Sequence, residues 1–166
     1  HYPLRRQRQM CIRDRNRYVL DYRALNANSH DDRYTMRTVD KCIAEIGKSG
    51  STIFSTMDLS SGYHQMLLEK NSRAATAFTV PGKGQFEWLT TSMGLRGAVS
   101  SFQRMVELTM KGVQNLIVYI DDLLAHSKNH SEHRSLLQIV FNRLRHTGLK
   151  ANLLKCHFGS PNVAYL

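Results

Sequence analysis

Several features that mark other classes of protein are scarce or missing in this 166-residue sequence. It has only three cysteines, Cys11, Cys42 and Cys156, and no CxxC pair, which argues against a disulfide framework or a zinc site and favours a reducing, intracellular setting. No apolar run approaches the roughly 18 residues of a membrane span, and no charged, apolar and small-residue leader is recognisable. His130 and His133 form an isolated HxxH, for which a solvated helix start is favoured over a metal site. We therefore expect neither a membrane span nor a structural zinc ion.

Acidic residues are also in short supply. The sequence has 13 Asp and Glu against 23 Lys and Arg, a formal net charge of +10, and its pI is near 9.9. Such an imbalance predicts a polyanionic partner, either nucleic acid or an anionic membrane surface. Residues 1–15 alone hold five arginines and one aspartate. Without them a net charge of +6 remains, which is weaker but still sufficient support for a polyanionic partner.

The first 15 residues look foreign to the rest of the chain. From Gln7 to Arg15 they resemble the conceptual translation of sequencing-adapter DNA joined to a genuine reading frame. Such fusion scars are left out of fold reasoning. We therefore expect residues 1–15 to be a non-native or disordered basic segment that packs against nothing, and residues 16–166 to form one domain fragment.

Two adjacent carboxylates are the most informative local feature. Asp121 and Asp122 follow Tyr119-Ile120 and lie between the apolar runs 116–118 and 123–125. Strands favour β-branched and aromatic residues and turns favour Asp, so this pattern predicts a tight β-hairpin with acids at its tip. Like charges about 4 Å apart repel by roughly 4 kcal/mol at an effective dielectric near 20, and Mg²⁺ is a hard cation that would offset them. The alternative is a solvated Asp-Asp turn.

A second acidic segment bears on that choice. The strand-like run Ile53–Met57 ends on Asp58, and Ser60-Ser61-Gly62 then break it. Taken alone, Asp58 could be a strand-end cap. The motifs that accompany Asp58, described below, instead favour a shared site with Asp121 and Asp122.

The coarse secondary structure is an alternation of short strands and amphipathic helices, which predicts an α+β fold. Val39, Cys42, Ile43 and Ile46 recur at helical spacing, with Thr38 as N-cap and Gly47 as stop. The other predicted elements are strands at 18–20 and 53–57, a hairpin of 65–68 with 75–80, a helix on Phe102, Met105, Val106 and Thr109 ending near Gly112, and a helix on His133, Leu137, Val140, Phe141 and Leu144 ending at Gly148.

Several motifs occur together in a fixed order. They are Asp21-Tyr22-Arg23-Ala24-Leu25-Asn26, the Asp58 segment, Thr76-Ala77-Phe78, Met93-Gly94-Leu95, Ser101-Phe102-Gln103, Tyr119-Ile120-Asp121-Asp122, and Gly148-Leu149-Lys150 with Lys155-Cys156. In this set and order the chain resembles the reverse transcriptases of retroelements, and most of all the polymerase of LTR retrotransposons of the Ty3/gypsy type. The resemblance implies a right-handed polymerase palm with partial fingers and without the thumb.

The resemblance also implies a chemistry, RNA-directed DNA synthesis by two-metal nucleotidyl transfer to a primer 3′-hydroxyl. Two Mg²⁺ ions are expected, with Mn²⁺ as a possible substitute. Asp58 and Asp121 would ligate both ions, the backbone carbonyl of Leu59 would complete one shell, and Asp122 would be the third carboxylate. Lys155 matches the lysine proposed to protonate pyrophosphate, and a solvated lysine is the alternative.

Further residues match the family's substrate contacts. Tyr63, five residues after Asp58, matches the steric gate that excludes ribonucleotides, and a core tyrosine is the alternative. Met93 and Gly94 match the segment beneath the incoming base, and Arg17 matches a fingers residue on the incoming nucleotide. The expected nucleic-acid contacts are Arg23, Arg96, Arg104 and Tyr119.

The partners implied are an RNA or DNA template-primer and deoxynucleotides, with thumb, connection, RNase H and integrase regions of a polyprotein lying outside this chain. We expect no membrane association, a place in a cytoplasmic retrotransposon particle, and no activity of the fragment alone. Val99 and Met93 depart from the family's usual residues, so the nucleotide pocket is expected to differ. The alternative function is a defunct or co-opted palm that binds nucleic acid or protein without catalysis.

Overall fold

A computed structural model of the chain describes residues 7–12, 15–30 and 34–163, with side chains from Leu20 onward. These residues fall into two compact units. The first unit contains the described residues up to 30 together with Tyr63–Val99, and the second contains Tyr34–Gly62 and the described residues from Ser100 onward. Each unit is built from two separate stretches of chain.

The elements confirm an α+β composition. The strands are β1 (Gln7–Ile12), β2 (Arg15–Leu20), β3 (Ile53–Asp58), β4 (Phe78–Val80), β5 (Gly84–Phe86), β6 (Leu116–Tyr119), β7 (Asp122–Ser127) and β8 (His157–Ser160). The α-helices are α1 (Arg23–Ala27), α2 (Val39–Ser49), α3 (Ala98–Thr109) and α4 (His130–Thr147). Short 3₁₀ segments cover Gly62–Gln65, Lys70–Thr76 and Leu153–Lys155. No helix among the described residues is both long enough and apolar enough to cross a bilayer.

The second unit is organised around a four-stranded antiparallel sheet in the order β6-β7-β3-β8. Strand β3 is central and pairs with β7 from Ile53 opposite Ser127 to Asp58 opposite Asp122. Successive side chains of a strand point to opposite faces of its sheet. The buried hydroxyl of Ser55 therefore meets α4 on one face, and Phe54 packs on the other face against a buried cluster that includes Cys42 of α2.

The core of this unit lies on both faces of the sheet. Cys42 of α2 forms one buried cluster with Ile117 and Leu124. Phe102 and Val106 of α3 are fully buried as well. The residues of β7 from Leu123 to Ser127 are all buried, which explains why 123–125 form a continuous apolar run rather than an alternating pattern.

Three helix ends were predicted at glycines, with different outcomes. Helix α3 ends at Thr109, near Gly112 as predicted. Helix α4 ends at Gly148, whose φ of 73° is left-handed, and this stop is confirmed. Helix α2 begins after Thr38 as predicted, although the Thr38 side chain makes no capping hydrogen bond. The predicted stop at Gly47 is wrong, because the helix continues to Ser49 and Gly50 is the residue that adopts the left-handed conformation.

The first unit corrects two further expectations. Strands β1 and β2 pair along their length, so the expectation that residues 1–15 pack against nothing is wrong for Gln7–Ile12. Residues 1–6 and 13–14 lie outside the described residues, and the foreign origin of 1–15 stays a prediction. The hairpin of this unit joins β4 to β5 and not residues 65–68 to 75–80. Its rings explain the pairing, since Phe78 lies 6.0 Å from Phe86 and 6.1 Å from Trp88 between ring centroids.

Candidate active site

The acidic hairpin forms as predicted. Strand β6 ends at Tyr119 and β7 begins at Asp122, so Ile120 and Asp121 are the two turn residues. Two-residue hairpin turns need positive φ, which is normally supplied by Gly, Asn or Asp. Here Ile120 has φ 55°, a conformation that is costly for a β-branched residue. The turn holds Asp121 and Asp122 at the end of the sheet.

Asp58 is brought to the same place by strand pairing. It lies opposite Asp122 in the β3–β7 register, so both side chains project from one face of the sheet. The backbone confirms the contact, since the Leu59 amide donates a 2.8 Å hydrogen bond to the carbonyl of Asp121. Asp58 therefore meets the adjacent pair Asp121 and Asp122, which is distant from it in sequence, at one end of the sheet.

The charges of these residues influence one another. Burial raises the pKa of Asp122 above its usual value, and the neighbouring carboxylates of Asp121 and Asp58 raise it further. Lys155 acts in the opposite direction. The ionised form of Asp122 is therefore disfavoured unless a cation is close by, which is the electrostatic condition for a metal site.

Asp58 forms an ion pair with a lysine of the same chain. The Lys155 ammonium donates a 3.0 Å hydrogen bond to Asp58 Oδ2, with the two side chains 62% and 19% exposed. The segment before Lys155 is tied to the same strand, since Asn152 donates to the Asp58 carbonyl at 2.8 Å and Ala151 bridges to Leu59. Lys155 is therefore an ion-pair partner of Asp58 and not merely a solvated lysine.

The site fits a divalent cation in its donor chemistry. Carboxylate oxygens and water are the ligands that Mg²⁺ prefers. Within the part of the chain that the structure describes, however, no three His, Cys, Asp or Glu side chains are already arranged to hold an ion. Joint ligation by Asp58, Asp121 and Asp122 therefore requires their side chains to turn towards one another and Lys155 to give way.

In the first unit, five residues predicted from sequence line one open cavity of about 660 Å³: Arg23, Tyr63, Met93, Gly94 and Arg96. Val99, one of the departures from the family pattern, lines it too. Five of the residues that were expected to contact the nucleotide or the nucleic acid therefore lie around one cavity.

Asn26 organises this cavity and had no predicted role. Its side-chain amide donates to the carbonyl of Gly94 at 2.8 Å, and its Oδ1 accepts from the Arg96 amide at 2.8 Å. Gly94 has φ 90°, which only glycine adopts readily. Asn26 is the last residue of the first motif, which could have marked it as functional. Its two side-chain bonds to the backbone span 68 and 70 residues, however, and no local pattern reveals them.

Three arginines that were predicted to contact nucleic acid make contacts within the chain. Arg96 Nη1 donates to the carbonyl of Asn26 at 3.3 Å. Arg23 forms a bidentate ion pair with Asp21, at 2.9 Å from Nε and 2.6 Å from Nη2, although its side chain is 81% exposed. The Arg104 guanidinium lies 4.9 Å above the ring of Tyr34 in the second unit. Tyr119 is half-buried at the end of β6. The side chain of Arg17 lies outside the described residues.

The two histidines of the HxxH pair lie in different environments. His130 is exposed at the start of α4, whereas His133 is only 4% exposed. His133 Nε2 lies 2.6 Å from Ser55 Oγ, and Nδ1 lies 2.8 Å from Ser127 Oγ. The expectation of solvation is therefore wrong for His133, because its spacing on α4 places it against the sheet.

One buried polar residue of the second unit was also overlooked. Gln103 of α3 bonds to the backbone of the acidic hairpin. Its signal in the sequence was a polar residue three positions before Val106, on the apolar face of a helix.

Comparison with known proteins agrees with the geometry. Residues 9–166 match the protein-family profile described as reverse transcriptase (RNA-dependent DNA polymerase). The chain is 36% identical over 152 residues to the retrovirus-related Pol polyprotein from transposon gypsy of Drosophila melanogaster, a match that covers 90% of this chain and 14% of that protein.

Solved structures of a foamy viral protease-reverse transcriptase are similar as well. In the complex with double-stranded DNA the TM-score is 0.84 at 28% identity, covering 95% of this chain and 28% of that one. In the complex with an RNA/DNA hybrid it is 0.75 at 28% identity, covering 86% and 19%. The chain thus spans only a small part of the length of the proteins it matches.

Proposed function

Because this chain belongs to the reverse transcriptase family, we propose that it is the nucleotidyl-transfer core of an RNA-directed DNA polymerase encoded by an LTR retrotransposon. The observation that carries the proposal is the pairing of Asp58 with Asp122 beside the Asp121 turn. The reaction joins a primer 3′-oxygen to the α-phosphorus of a deoxynucleotide, and the bond from that phosphorus to the pyrophosphate oxygen breaks. Both the entering and the leaving oxygens carry negative charge that needs stabilisation.

Each residue of the acidic site has a proposed role. Two Mg²⁺ ions, or Mn²⁺ in their place, would supply the charge that stabilises the entering and leaving oxygens. Asp58 and Asp121 are proposed to hold both ions, with the Leu59 carbonyl as a further ligand and Asp122 as the third negative charge. Lys155, 3.0 Å from Asp58, is proposed to give its proton to the departing pyrophosphate.

The cavity of the first unit is proposed to receive the nucleotide. Met93 and Gly94 would lie against the base, and the ring of Tyr63 would leave no space for a 2′-hydroxyl, so that deoxynucleotides are selected by exclusion. Arg17 would contact the incoming nucleotide. The residues proposed to contact the template-primer are Arg23, Arg96, Arg104 and Tyr119.

The partners follow from the relatives. The similar foamy viral structures contain double-stranded DNA or an RNA/DNA hybrid, which supports a template-primer as the partner of this chain. Since the matched Pol polyprotein is much longer, we also propose that thumb, connection, RNase H and integrase regions accompany this core in a cytoplasmic retrotransposon particle.

Metal binding and primer extension test the proposal together. The chain should bind Mn²⁺ in a titration followed by electron paramagnetic resonance, Asp121→Asn should abolish high-affinity binding, and Asp40→Asn on the exposed side of α2 should leave it unchanged. Joined to a thumb and complete fingers, the chain should extend a DNA primer on an RNA template. Absence of both metal binding and extension would favour a co-opted palm without catalysis.

A further inference from the structure

Gln103 is a buried polar side chain that contacts the acidic hairpin without being part of it. It is 1% exposed and lies on α3. Its Nε2 donates to the carbonyl of Val118 at 3.1 Å and to Glu107 Oε1 at 2.7 Å. Its Oε1 accepts from the amide of Ile120 at 2.5 Å. One side-chain amide thus bonds both residues that flank Tyr119.

The orientation of this amide follows from its partners. A carboxylate such as Glu107 only accepts hydrogen bonds, so the NH₂ group of Gln103 faces Glu107. The oxygen of Gln103 is then left to face the Ile120 amide, which only donates. Glu107 is itself held through its other oxygen by the hydroxyl of Tyr34. The arrangement therefore leaves Gln103 one orientation in which all its bonds are made.

The residue that Gln103 holds is the strained one. Ile120 has φ 55°, and a β-branched residue strongly prefers negative φ. The next residue, Asp121, is held on its carbonyl by the Leu59 amide. Gln103 thus holds the amide of Ile120 and Leu59 holds the carbonyl of Asp121, so both ends of this two-residue turn are fixed. Asp122 follows directly after it.

We propose that Gln103 is a positioning residue, which keeps Ile120 in its left-handed conformation and so places Asp121 and Asp122 for metal binding. This inference rests on the proposed function. Without the amide, the backbone at Ile120 relaxes towards the conformation that isoleucine prefers, and the peptide between Ile120 and Asp121 rotates. Sites need their ligands held to within about 0.5 Å, so such a rotation weakens binding even though no ligand has been removed.

The test is a Mn²⁺ titration of the whole 166-residue chain, read by electron paramagnetic resonance. Gln103→Met keeps the length of the side chain and removes both its donor and its acceptor. We expect affinity for Mn²⁺ to fall by about tenfold or more, the usual loss when a group supporting a metal ligand is removed. The matched control is Val106→Ala, also buried on α3, which should lower thermal stability and leave Mn²⁺ affinity unchanged.

A paired exchange tests the bond to Ile120 directly. The double variant Gln103→Glu with Glu107→Gln keeps an acceptor for the Ile120 amide and a hydrogen bond between positions 103 and 107, while the bond to Val118 is lost. It should recover most of the affinity lost in Gln103→Met. A double variant no better than Gln103→Met would overturn the role of the Ile120 bond.

Ile120→Gly approaches the same contact from the turn and leaves the α3 core intact, so it remains informative if Gln103→Met does not fold. Glycine adopts positive φ without strain, and Gln103→Met should therefore cost less affinity in this background than in the wild type. As a single substitution, Ile120→Gly should leave the affinity for Mn²⁺ within about threefold of the wild-type value, because Gln103 still holds the turn. A larger loss would show that the isoleucine side chain, and not the held backbone, places the carboxylates.

The outcomes separate this inference from the proposed function. If wild-type chain binds no Mn²⁺ with appreciable affinity, the proposed function fails. If wild type binds, Asp121→Asn does not, and Gln103→Met binds as tightly as wild type, the proposed function stands and Gln103 is only a satisfied core residue.

Discussion

Asp58 and Asp122 are directly opposite each other on neighbouring antiparallel strands, so two carboxylates share one face at the end of the sheet. Like charges at directly opposed positions destabilise a sheet. Asp122→Asn should therefore raise the free energy of unfolding of the metal-free chain by roughly 0.2–1 kcal/mol while weakening Mn²⁺ binding. Urea unfolding without metal, beside Asp40→Asn as control, measures the effect. A loss of stability would mean that the Asp122 carboxylate makes favourable contacts that outweigh the repulsion.

Lys155 should compete with a metal ion for Asp58. Its ammonium donates to Asp58 Oδ2, so a metal ion that binds this oxygen must displace it. Lys155→Met should raise Mn²⁺ affinity several-fold, because the competing cation is gone, whereas Lys48→Met on α2 should have no effect. Titration of both variants decides the point. Weaker binding in Lys155→Met would show that Lys155 orders Asp58 for the metal instead of occupying its place.

Gly62 is required by space. A Cβ atom built there lies 2.7 Å from Cζ and 2.8 Å from Cε1 of the fully buried ring of Phe102. Overpacking of this kind costs about 1–3 kcal/mol, so Gly62→Ala should lower the free energy of unfolding by that amount. Gly47→Ala is the matched control, because nothing lies within 4 Å of its Cβ and a helix interior favours alanine by about 0.5–1 kcal/mol. Equal stability of the two variants would contradict the packing.

His133 should make the fold sensitive to mild acid. Ser55 Oγ accepts from the Gly159 amide, and Ser127 Oγ donates to the carbonyl of Asn129, so the bonds are complete when His133 is neutral with its proton on Nδ1. Burial is the main cause that lowers the pKa of His133, and the nearby His130 lowers it further. A second proton on Nε2 would break the bond from Ser55.

The sign of the pH dependence follows from that lowered pKa. The unfolded chain binds this proton near the ordinary histidine pKa of about 6.5, whereas the folded chain binds it only at lower pH. The contribution of neutral His133 to stability is therefore fully present above about pH 6.5 and is lost as the pH falls below it. The slope is at most about 1.4 kcal/mol per pH unit for each such histidine. Buried His126, where burial outweighs the opposing effect of Glu45, adds in the same direction.

Unfolding in urea between pH 5 and 7.5 measures this slope. His133→Gln should be less stable than the wild type at pH 7.5 and show a shallower decline towards pH 5. The exposed His146→Gln is the control and should reproduce the wild-type slope. A slope that His133→Gln leaves unchanged would assign the acid sensitivity to another group.

Tyr63 should determine the choice of sugar. In a polymerase restored with thumb and complete fingers, Tyr63→Val should raise kcat/KM for ribonucleotides and leave deoxynucleotide use comparatively intact. Each 1.4 kcal/mol of steric clash that is removed changes the ratio of deoxynucleotide to ribonucleotide kcat/KM by about tenfold. Asp121→Asn should instead depress both substrates together. Single-nucleotide incorporation assays give the two ratios. An unchanged ratio in an active Tyr63→Val variant would make Tyr63 a structural residue of the cavity.

The sequence by itself determined the elements whose causes are local. Apolar residues at helical spacing and a glycine after Thr147 were enough for α4, and two apolar runs around Asp121 and Asp122 were enough for the acidic hairpin. The order of the motifs was enough to identify the family. Such features rest on the conformational preferences of neighbouring residues, which a pattern in the sequence records directly.

Only the tertiary structure decided which distant groups meet. The ion pair of Lys155 with Asp58 spans 97 positions, and the burial of His133 between two serines depends on how α4 lies on the sheet. The bonds of Gln103 depend on where α3 passes the β6–β7 turn. Contacts of this kind are set by strand register and helix packing, where a shift of one residue would turn every side chain to the opposite face, and no local preference specifies them.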